Sequence, residues 1–219
     1  MELWAGRVHG TPLAIYEPDE AWEHLVRIAG RTQAVVEMQL LRQRLGRKQP
    51  PALHSQQQRT AQARAVNGFV KEILACDPYI SDVPAGVTLT DLSQLLSQSD
   101  VVTLHVPSNA ETAHLIGGEE LSKMKPTAHL INTARGGLVD EPALHQALIN
   151  RTIAGAGIDV LASEPPAGGN VLLDRPLPNL IVTPHTAWAS RQSRQRLLDQ
   201  IADNIQSFIE GRTANRVDV

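Results

Sequence analysis

Three side chains of complementary chemistry follow predicted strand ends in the second half of the chain: Arg135, Glu164 and His185. The planar fork of an arginine binds a carboxylate in a bidentate manner. A histidine moves protons near neutral pH, and a carboxylate that is hydrogen-bonded to the imidazole orients the ring and favours its protonated form. Each residue alone is typical of a surface ion pair, a solvated histidine or a turn. Together they predict a site that holds an anionic substrate and moves a proton.

The residues around these three side chains restrict the backbone or let it turn sharply. Gly136 and Gly137 follow Arg135, which allows a tight turn close to a ligand. Pro184 precedes His185, and the pair Pro165-Pro166 follows Glu164. Because the carboxyl ends of parallel strands meet at one edge of a sheet, we expect the three side chains to lie close together.

From about Asp77 onward, β-branched runs alternate with helical stretches, and the elements that they form must position the three side chains. This alternation is typical of a parallel sheet with crossover helices. The predicted strands are Val70–Cys76, Val101–Val106, Ala128–Thr133, Ala154–Val160 and Asn179–Val182. The predicted helices are Thr90–Gln98, Gly118–Met124, Glu141–Asn150 and an amphipathic helix from Ser190 to Glu210. The apolar face of this last helix is expected to pack against another surface.

The first 65 residues have a different character. Asp19–Ile28 and Thr32–Leu45 have helical patterns, and residues 47–62 lack a strand pattern. We therefore predict a helical N-terminal segment over 1–46, a linker over 47–62, an α/β domain over 63–189 and a C-terminal helix with its tail over 190–219.

Composition excludes several classes of function. The net charge is −3 without a long basic run, and aromatic residues make up 3%, which argues against nucleic acid as a partner. A single cysteine, Cys76, suits a reducing compartment, and no apolar run approaches the ~18 residues that span a bilayer. We expect a cytoplasmic protein with no membrane partner and no metal site.

The run from about Ala75 to Arg212 resembles the nucleotide-binding domain of the D-isomer-specific 2-hydroxyacid dehydrogenases, a family that includes glycerate, phosphoglycerate and D-lactate dehydrogenases. The segments that carry the resemblance are Ser99–Pro107, Thr112, Ile131–Glu141, Gly155–Val160, Glu164–Pro166 and Thr183–His185. The resemblance implies a Rossmann-like α/β fold, NAD as cofactor, and a small 2-hydroxy or 2-keto acid as substrate. By the same resemblance, 63–189 would be the NAD-binding domain, and the N-terminal segment would be a partial substrate domain or a dimerisation element.

The resemblance also implies roles for individual residues. Arg135 would bind the substrate carboxylate, His185 would act as general acid or base, and Glu164 would pair with His185. Asp77 would accept from the adenosine ribose, and its charge would disfavour a 2′-phosphate. The other residues expected along the cofactor, besides Arg135 and His185, are Val106, Pro107, Thr112, Thr133, Ala134 and, against the carboxamide, Asp159.

One departure from the family pattern leaves the function open. A glycine-rich turn should precede the ribose-binding acid by about 20 residues, but no glycine lies between Gly46 and Gly68. The sheet could therefore lack its central strand, as in a truncated or frame-disrupted descendant, or a dimer partner or an unusual N-terminal strand could complete it. The leading hypothesis is an NAD-dependent D-2-hydroxyacid dehydrogenase. The rival is an inactive module for binding or oligomerisation, and the last helix leaves a homodimer open.

Overall fold

A computed structural model describes residues 7–8, 11–12, 35–38, 72–77, 83 and 85–215. Seven parallel strands form one sheet, and a short antiparallel pair, β1 (Arg7–Val8) and β2 (Thr11–Pro12), lies outside it. The seven strands are β3 (Val35–Met38), β4 (Ile73–Cys76), β5 (Val87–Leu89), β6 (Val101–Leu104), β7 (His129–Asn132), β8 (Gly155–Ile158) and β9 (Leu180–Val182). The helices are α1 (Leu92–Gln98), α2 (Gly118–Lys123), α3 (Glu141–Ile149) and α4 (Arg191–Ile209), with a 3₁₀ turn at Gly136–Leu138.

The strand order β5-β4-β3-β6-β7-β8-β9 reverses direction at β3. From β3 the chain proceeds outward through β4 to β5, and it then returns to the other side of β3 to form β6 and the rest. This is the doubly wound arrangement, in which the crevice at the carboxyl ends of the two strands beside the switch point binds ligands. The predicted Rossmann-like α/β fold is confirmed.

β3 corrects two interpretations of the sequence. The prediction of a helix over Thr32–Leu45 is wrong at Val35–Met38, where the chain forms the central strand and pairs with β4 and β6. The sheet is therefore not incomplete at its centre, and the alternative of a strand from the N-terminal segment is the one that the structure supports. Two parallel neighbours supply backbone hydrogen bonds on both sides of the strand, and this tertiary pairing overrides the local helix propensity.

The other predicted elements from Ile73 onward are present with shorter bounds, and β5 was not predicted. Asp19–Ile28 and the linker over 47–62 lie outside the described residues. The proposed division into domains stays a prediction, although β3 ties part of the N-terminal segment to the sheet.

The helices between strands β5 and β8 cover the sheet with aliphatic side chains. Leu95 and Leu96 of α1, Leu121 of α2, and Leu144 and Leu148 of α3 are buried against the strands and each other. Side-chain caps begin α1 at Asp91 and α3 at Asp140, where each carboxylate accepts from a backbone amide three residues later. These helices fix the orientation of the loops that leave the carboxyl edge of the sheet.

Helix α4 differs from the other helices because its apolar residues are exposed in the single chain. Ser207 is its one fully buried residue, whereas Phe208 is 85% exposed. The prediction that the apolar face of this helix packs against another surface is therefore not met within the described residues. The other exposed apolar side chains of α4 are Leu197, Leu198, Ile201, Ile205 and Ile209.

Candidate active site

The predicted site residues follow the carboxyl ends of β4 and β6 to β9, on one edge of the sheet, with Glu164 in the loop after β8. Asp77 follows β4, the segment from Val106 to Thr112 follows β6, and Thr133 to Arg135 follow β7. Asp159 follows β8 and His185 follows β9. This edge borders the switch point between β3 and β6, where a doubly wound sheet opens its crevice.

Glu164 and His185 are in direct contact. The Oε2 atom of Glu164 lies 2.7 Å from Nδ1 of His185, and both side chains are partly exposed. The other carboxylate oxygen, Oε1, accepts from the backbone amide of Leu161 at 2.7 Å. The two contacts hold the carboxylate in one orientation and leave Nε2 of the imidazole available to a substrate.

The electrostatics fix the direction of this hydrogen bond. Burial raises the pKa of Glu164, but the Leu161 amide, then the hydrogen bond and charge of His185, and then the charge of Arg135 outweigh it, so the pKa lies below its ordinary value. An ionised carboxylate only accepts hydrogen bonds, so Nδ1 of His185 donates to it. In the tautomer that carries its proton on Nδ1, Nε2 is the proton acceptor.

Arg135 lies in the same cluster because of one glycine. A Cβ atom on Gly136 would lie well inside 3.0 Å of the Leu161 carbonyl and of the Ala162 amide nitrogen. The loop after β7 therefore packs backbone to backbone on the loop after β8, which carries Glu164. This packing places the loop of Arg135 beside the loop of Glu164, and Glu164 contacts His185 directly, so the three predicted residues lie on adjoining loops. The charge of Arg135 is among the causes that lower the pKa of Glu164.

The arginine loop is also held by a buried amide that sequence reasoning missed. Asn132, fully buried at the end of β7, donates from Nδ2 to the carbonyl of Arg135 at 2.9 Å. Its Oδ1 atom accepts from the Ala134 amide at 3.1 Å. A polar residue at the last position of an apolar strand was the available signal, since a buried polar group requires partners.

Asp159 holds the backbone around His185. Its carboxylate accepts from the amides of Thr186 and Ala187, each at 2.9 Å, and from the Thr183 hydroxyl. The backbone of His185 is in the left-handed region with φ 54°, which is uncommon for a non-glycine residue. Asp159 therefore stabilises a turn that the sequence alone does not favour.

Trp188 adds a second constraint on this turn. Its Nε1 atom donates to the His185 carbonyl at 2.8 Å, and its side chain is 55% exposed. An exposed tryptophan that is fixed by its indole N–H presents a rigid apolar surface beside the histidine. No periodic pattern around this residue indicates such a role.

The residues expected along the cofactor after β6 form a compact turn. Val106 and Thr112 are buried, whereas Pro107 is exposed. The Thr112 hydroxyl donates to the Pro107 carbonyl at 2.7 Å and accepts from the Asn109 amide at 2.9 Å. The hydroxyl therefore shapes the loop at the edge of the crevice. On the neighbouring strand, Thr133 is exposed and Ala134 partly buried.

A second histidine at this edge has surroundings that disfavour its protonation. His105 follows β6, and its Nε2 atom lies 3.0 Å from the Thr103 hydroxyl. Burial lowers the pKa of His105 to about 4, so the ring is neutral at physiological pH. Unlike His185, it contacts no carboxylate among its described hydrogen-bond partners.

The depressed pKa of His105 makes stability depend on pH in a predictable direction. Between the ordinary value of 6.5 and about 4, the unfolded chain binds a proton that the folded chain does not, so stability falls as the pH falls through this range. We expect the free energy of unfolding of His105→Gln to fall by about 3 kcal/mol less than that of the unchanged protein between pH 7 and pH 4. Urea unfolding of both proteins at several pH values between 7 and 4 measures it, and parallel pH profiles would contradict the assignment.

Asp77 lies buried directly after β4. Burial, together with the negative charges of Asp77 and Asp91, raises the pKa of the neighbouring Cys76 thiol. The thiol is therefore protonated and is no candidate nucleophile.

The described residues contain no cluster of three or more histidine, cysteine or acidic side chains that could hold a metal ion. Among the described helices, none has the length and apolar character needed to cross a membrane.

Comparisons with known proteins agree with this geometry. Residues 59–187 match the family model of the D-isomer specific 2-hydroxyacid dehydrogenase, NAD binding domain. A glycerate dehydrogenase from Methylorubrum extorquens is 53% identical over 156 residues, which cover 71% of this chain and 48% of the relative. A glyoxylate reductase from Korarchaeum cryptofilum is 43% identical, covering 69% of this chain and 46% of the relative.

Solved structures give the same result. The D-lactate dehydrogenase with NAD⁺ from Lactobacillus jensenii superimposes with a TM-score of 0.70 at 27% identity, covering 88% of this chain and 56% of that protein. The chain spans about half the length of these relatives. The family match, the doubly wound sheet and the site at its carboxyl edge show that the chain belongs to the D-isomer specific 2-hydroxyacid dehydrogenase family.

Proposed function

We propose that this chain is an oxidoreductase that uses NAD to interconvert a D-2-hydroxy acid and its 2-keto acid by hydride transfer. The observation that carries the proposal is the 2.7 Å contact between Glu164 and His185 beside Arg135, at the carboxyl edge of a doubly wound sheet. Relatives named glycerate dehydrogenase, glyoxylate reductase and hydroxypyruvate reductase support substrates of two or three carbons.

The residues present fit a dinucleotide at two of its three anchoring points. The crevice beside β6 and β7 suits the nicotinamide end, with Val106, Pro107, Thr112, Thr133 and Ala134 as its proposed contacts and Asp159 at its carboxamide. Asp77, at the end of β4, suits the adenosine ribose. The sequence after β3 runs Gln39–Leu45 before its first glycine, so the pyrophosphate would meet no glycine turn at that strand. When bound, the cofactor supplies or accepts the hydride.

The protein's own contribution is to orient the substrate and to move a proton. The guanidinium of Arg135 would hold the substrate carboxylate in a bidentate manner. Nε2 of His185 would take the proton of the hydroxyl during oxidation and return it to the carbonyl oxygen during reduction. Glu164 fixes the ring through Nδ1 and stabilises the imidazolium that forms. Arg135, Glu164 and His185 are therefore the proposed catalytic residues.

The pKa of Glu164 sets an acid limit for this arrangement. Because the folded-state pKa is below the ordinary value, the contact with His185 is fully present above that ordinary value. It is lost as the pH falls through the lowered pKa. The Glu164 carboxylate should therefore keep the His185 ring oriented throughout the neutral pH range.

Calorimetric titration with NAD tests the cofactor assignment. Binding in the micromolar range would support the oxidoreductase, whereas no heat at millimolar NAD would contradict it. The second candidate, an inactive module for binding or oligomerisation, is suggested by the absence of glycine between Gly46 and Gly68, and the family match and the dehydrogenase and reductase relatives do not favour it. That candidate predicts no heat with NAD and none with NADP.

Asp77 predicts the choice between the two dinucleotides. A carboxylate at the ribose position repels the 2′-phosphate of NADP, so we expect the dissociation constant for NAD to be lower by about 10-fold or more. The variant Asp77→Ser should reduce this preference, and Asp174→Ser, an exposed acid in another loop, serves as its control. Equal affinities for the two dinucleotides in the unchanged protein would contradict the assignment.

We further propose a cytoplasmic location, supported by the single cysteine. A homodimer is supported by the exposed apolar side chains of α4, because monomeric proteins rarely leave large apolar patches in water. Sedimentation equilibrium measures the assembly state directly, and a monomer at all concentrations would contradict the dimer.

A further inference from the structure

The structure assigns a positioning role to Glu141, which holds the loop that carries Glu164. Glu141 is the first residue of α3, and its side chain leaves the helix instead of pairing within it. Its Oε1 atom accepts from the Ala162 amide at 2.8 Å, and its Oε2 atom accepts from Nδ2 of Asn170 at 2.7 Å. One carboxylate therefore ties both ends of the segment from Ala162 to Asn170, and this assignment rests on the proposed function of Glu164.

Besides Glu141, the segment is held by the contact of Glu164 with His185 and by the packing of Ala162 on Gly136, and it has few apolar contacts. Most of its residues are exposed, and the nearest fully buried positions are Val160 before it and Leu172 after it. With few apolar contacts, its conformation depends on polar contacts. The further contacts within the segment, Ala167 to Pro165 and Gly169 to Pro166, are local turns. Glu141 is thus the described group that connects the segment to the helical layer.

The peptide between Leu161 and Ala162 is held on two sides. The absent side chain of Gly136 leaves the space that this peptide fills, and the Ala162 N–H of the same peptide donates to Glu141. The preceding amide, that of Leu161, donates to Glu164. Two consecutive amides are therefore directed at two carboxylates. Displacement of this peptide would alter the position of Glu164 relative to both Arg135 and His185.

A simpler explanation is that Glu141 is an acid in the first turn that stabilises the helix dipole. Glu119 in α2 is such an acid, and it pairs with Lys123 of its own helix at 2.6 Å. Glu141 differs because both of its oxygens accept from residues 21 and 29 positions away. Glu119 therefore provides a matched control for the same substitution.

The variant Glu141→Gln tests the assignment with almost no change of shape. An amide places its oxygen at one of the two carboxylate oxygen positions and an NH2 donor at the other, so one of the two donors, the Ala162 N–H or Asn170 Nδ2, would face another donor. Rotation of the Asn170 amide would not repair the loss, because its Oδ1 atom already accepts from the Leu172 amide at 2.9 Å. One of the two contacts must therefore be lost.

The readout is the titration of the Glu164 carboxyl, followed by carbon NMR of the full chain. Because the amide of Leu161 and the ring of His185 hold the pKa of Glu164 low, we expect Glu141→Gln to raise that pKa and Glu119→Gln to leave it unchanged. In an active enzyme, kcat would fall by up to about 100-fold, because misplaced catalytic groups lose their alignment, while NAD affinity would not change.

An unchanged Glu164 titration in a folded Glu141→Gln protein would overturn the assignment. Should the substitution reduce folding, Glu141→Asp, whose side chain is one methylene shorter and cannot reach both donors, serves as the second variant, and a Glu164 titration like that of the unchanged protein would again overturn the assignment. The titration does not require turnover. A shifted Glu164 in a chain without NAD-linked activity would therefore refute the proposed function and leave the role of Glu141 intact.

Discussion

His185→Ala is expected to reduce NADH-linked reduction of hydroxypyruvate or glyoxylate by about 10²- to 10⁴-fold, the range for the loss of a positioned general acid. The loss should appear in kcat, because Nε2 acts on the proton in transit and contributes little to binding of the ground state. Steady-state kinetics at several substrate concentrations separates kcat from KM.

The control for this variant must carry the same backbone cost, since His185 has a positive φ. His114 provides it: its φ is 51° against 54° for His185, and it is exposed. Alanine at either position should carry a similar conformational penalty. We expect His114→Ala to keep nearly full activity, and equal rates in the two variants would contradict the role of His185.

Arg135→Ala tests the other half of the same site. Loss of a bidentate contact to a carboxylate removes about two charge-assisted hydrogen bonds, which corresponds to at least a 100-fold decrease in kcat/KM. Arg135→Lys should recover only part of the lost kcat/KM, because an ammonium lacks the planar fork. Arg175→Ala, an exposed arginine in another loop, should retain full activity.

Gly136→Ala is expected to destabilise the protein and to separate the two loops of the site. The added Cβ would overlap backbone atoms of Leu161 and Ala162, which cannot move aside as the end of a flexible side chain would. Overpacking of this kind costs about 3 kcal/mol, or roughly 5–10 °C in the midpoint of thermal unfolding for a domain of this size. NADH-linked activity should be lost as well, because Arg135 and Glu164 flank the contact.

Gly118→Ala is the matched control for this substitution. A Cβ at Gly118, at the start of α2, meets nothing within 4 Å. Alanine also favours the helix by up to about 1 kcal/mol relative to glycine. Differential scanning calorimetry of both variants makes the comparison, and equal midpoints would show that the close contact between the two loops is not present in solution.

The sequence allowed most of the sheet to be predicted because its strands from Ile73 onward are apolar runs between clear helical patterns. β3 could not be predicted in this way. It has four residues, Val35–Met38, and helix-forming residues such as Gln39 and Leu40 follow it, so only pairing with two distant strands identifies it. Similarly, β5 is a three-residue strand at the edge of the sheet.

The candidate site could likewise be predicted only in part. Arg135, Glu164 and His185 could be proposed from their chemistry and their places after strands. The groups that hold them, such as Asn132 and Glu141, act through contacts between loops, and no local periodicity encodes such contacts. The left-handed backbone at His185 is likewise set by Asp159 and Trp188, from an adjacent strand end and from three residues further along the chain.

Hydride transfer by the purified chain is the most direct test of the proposed function. With NADH and hydroxypyruvate or glyoxylate, we predict a decrease in absorbance at the reduced nicotinamide band and one equivalent of NADH consumed per equivalent of 2-hydroxy acid formed, which is D-glycerate from hydroxypyruvate and glycolate from glyoxylate. With His185→Ala the rate should be lower by about 10²- to 10⁴-fold. A folded chain that binds NADH and consumes none of it with any short 2-keto acid would contradict the account.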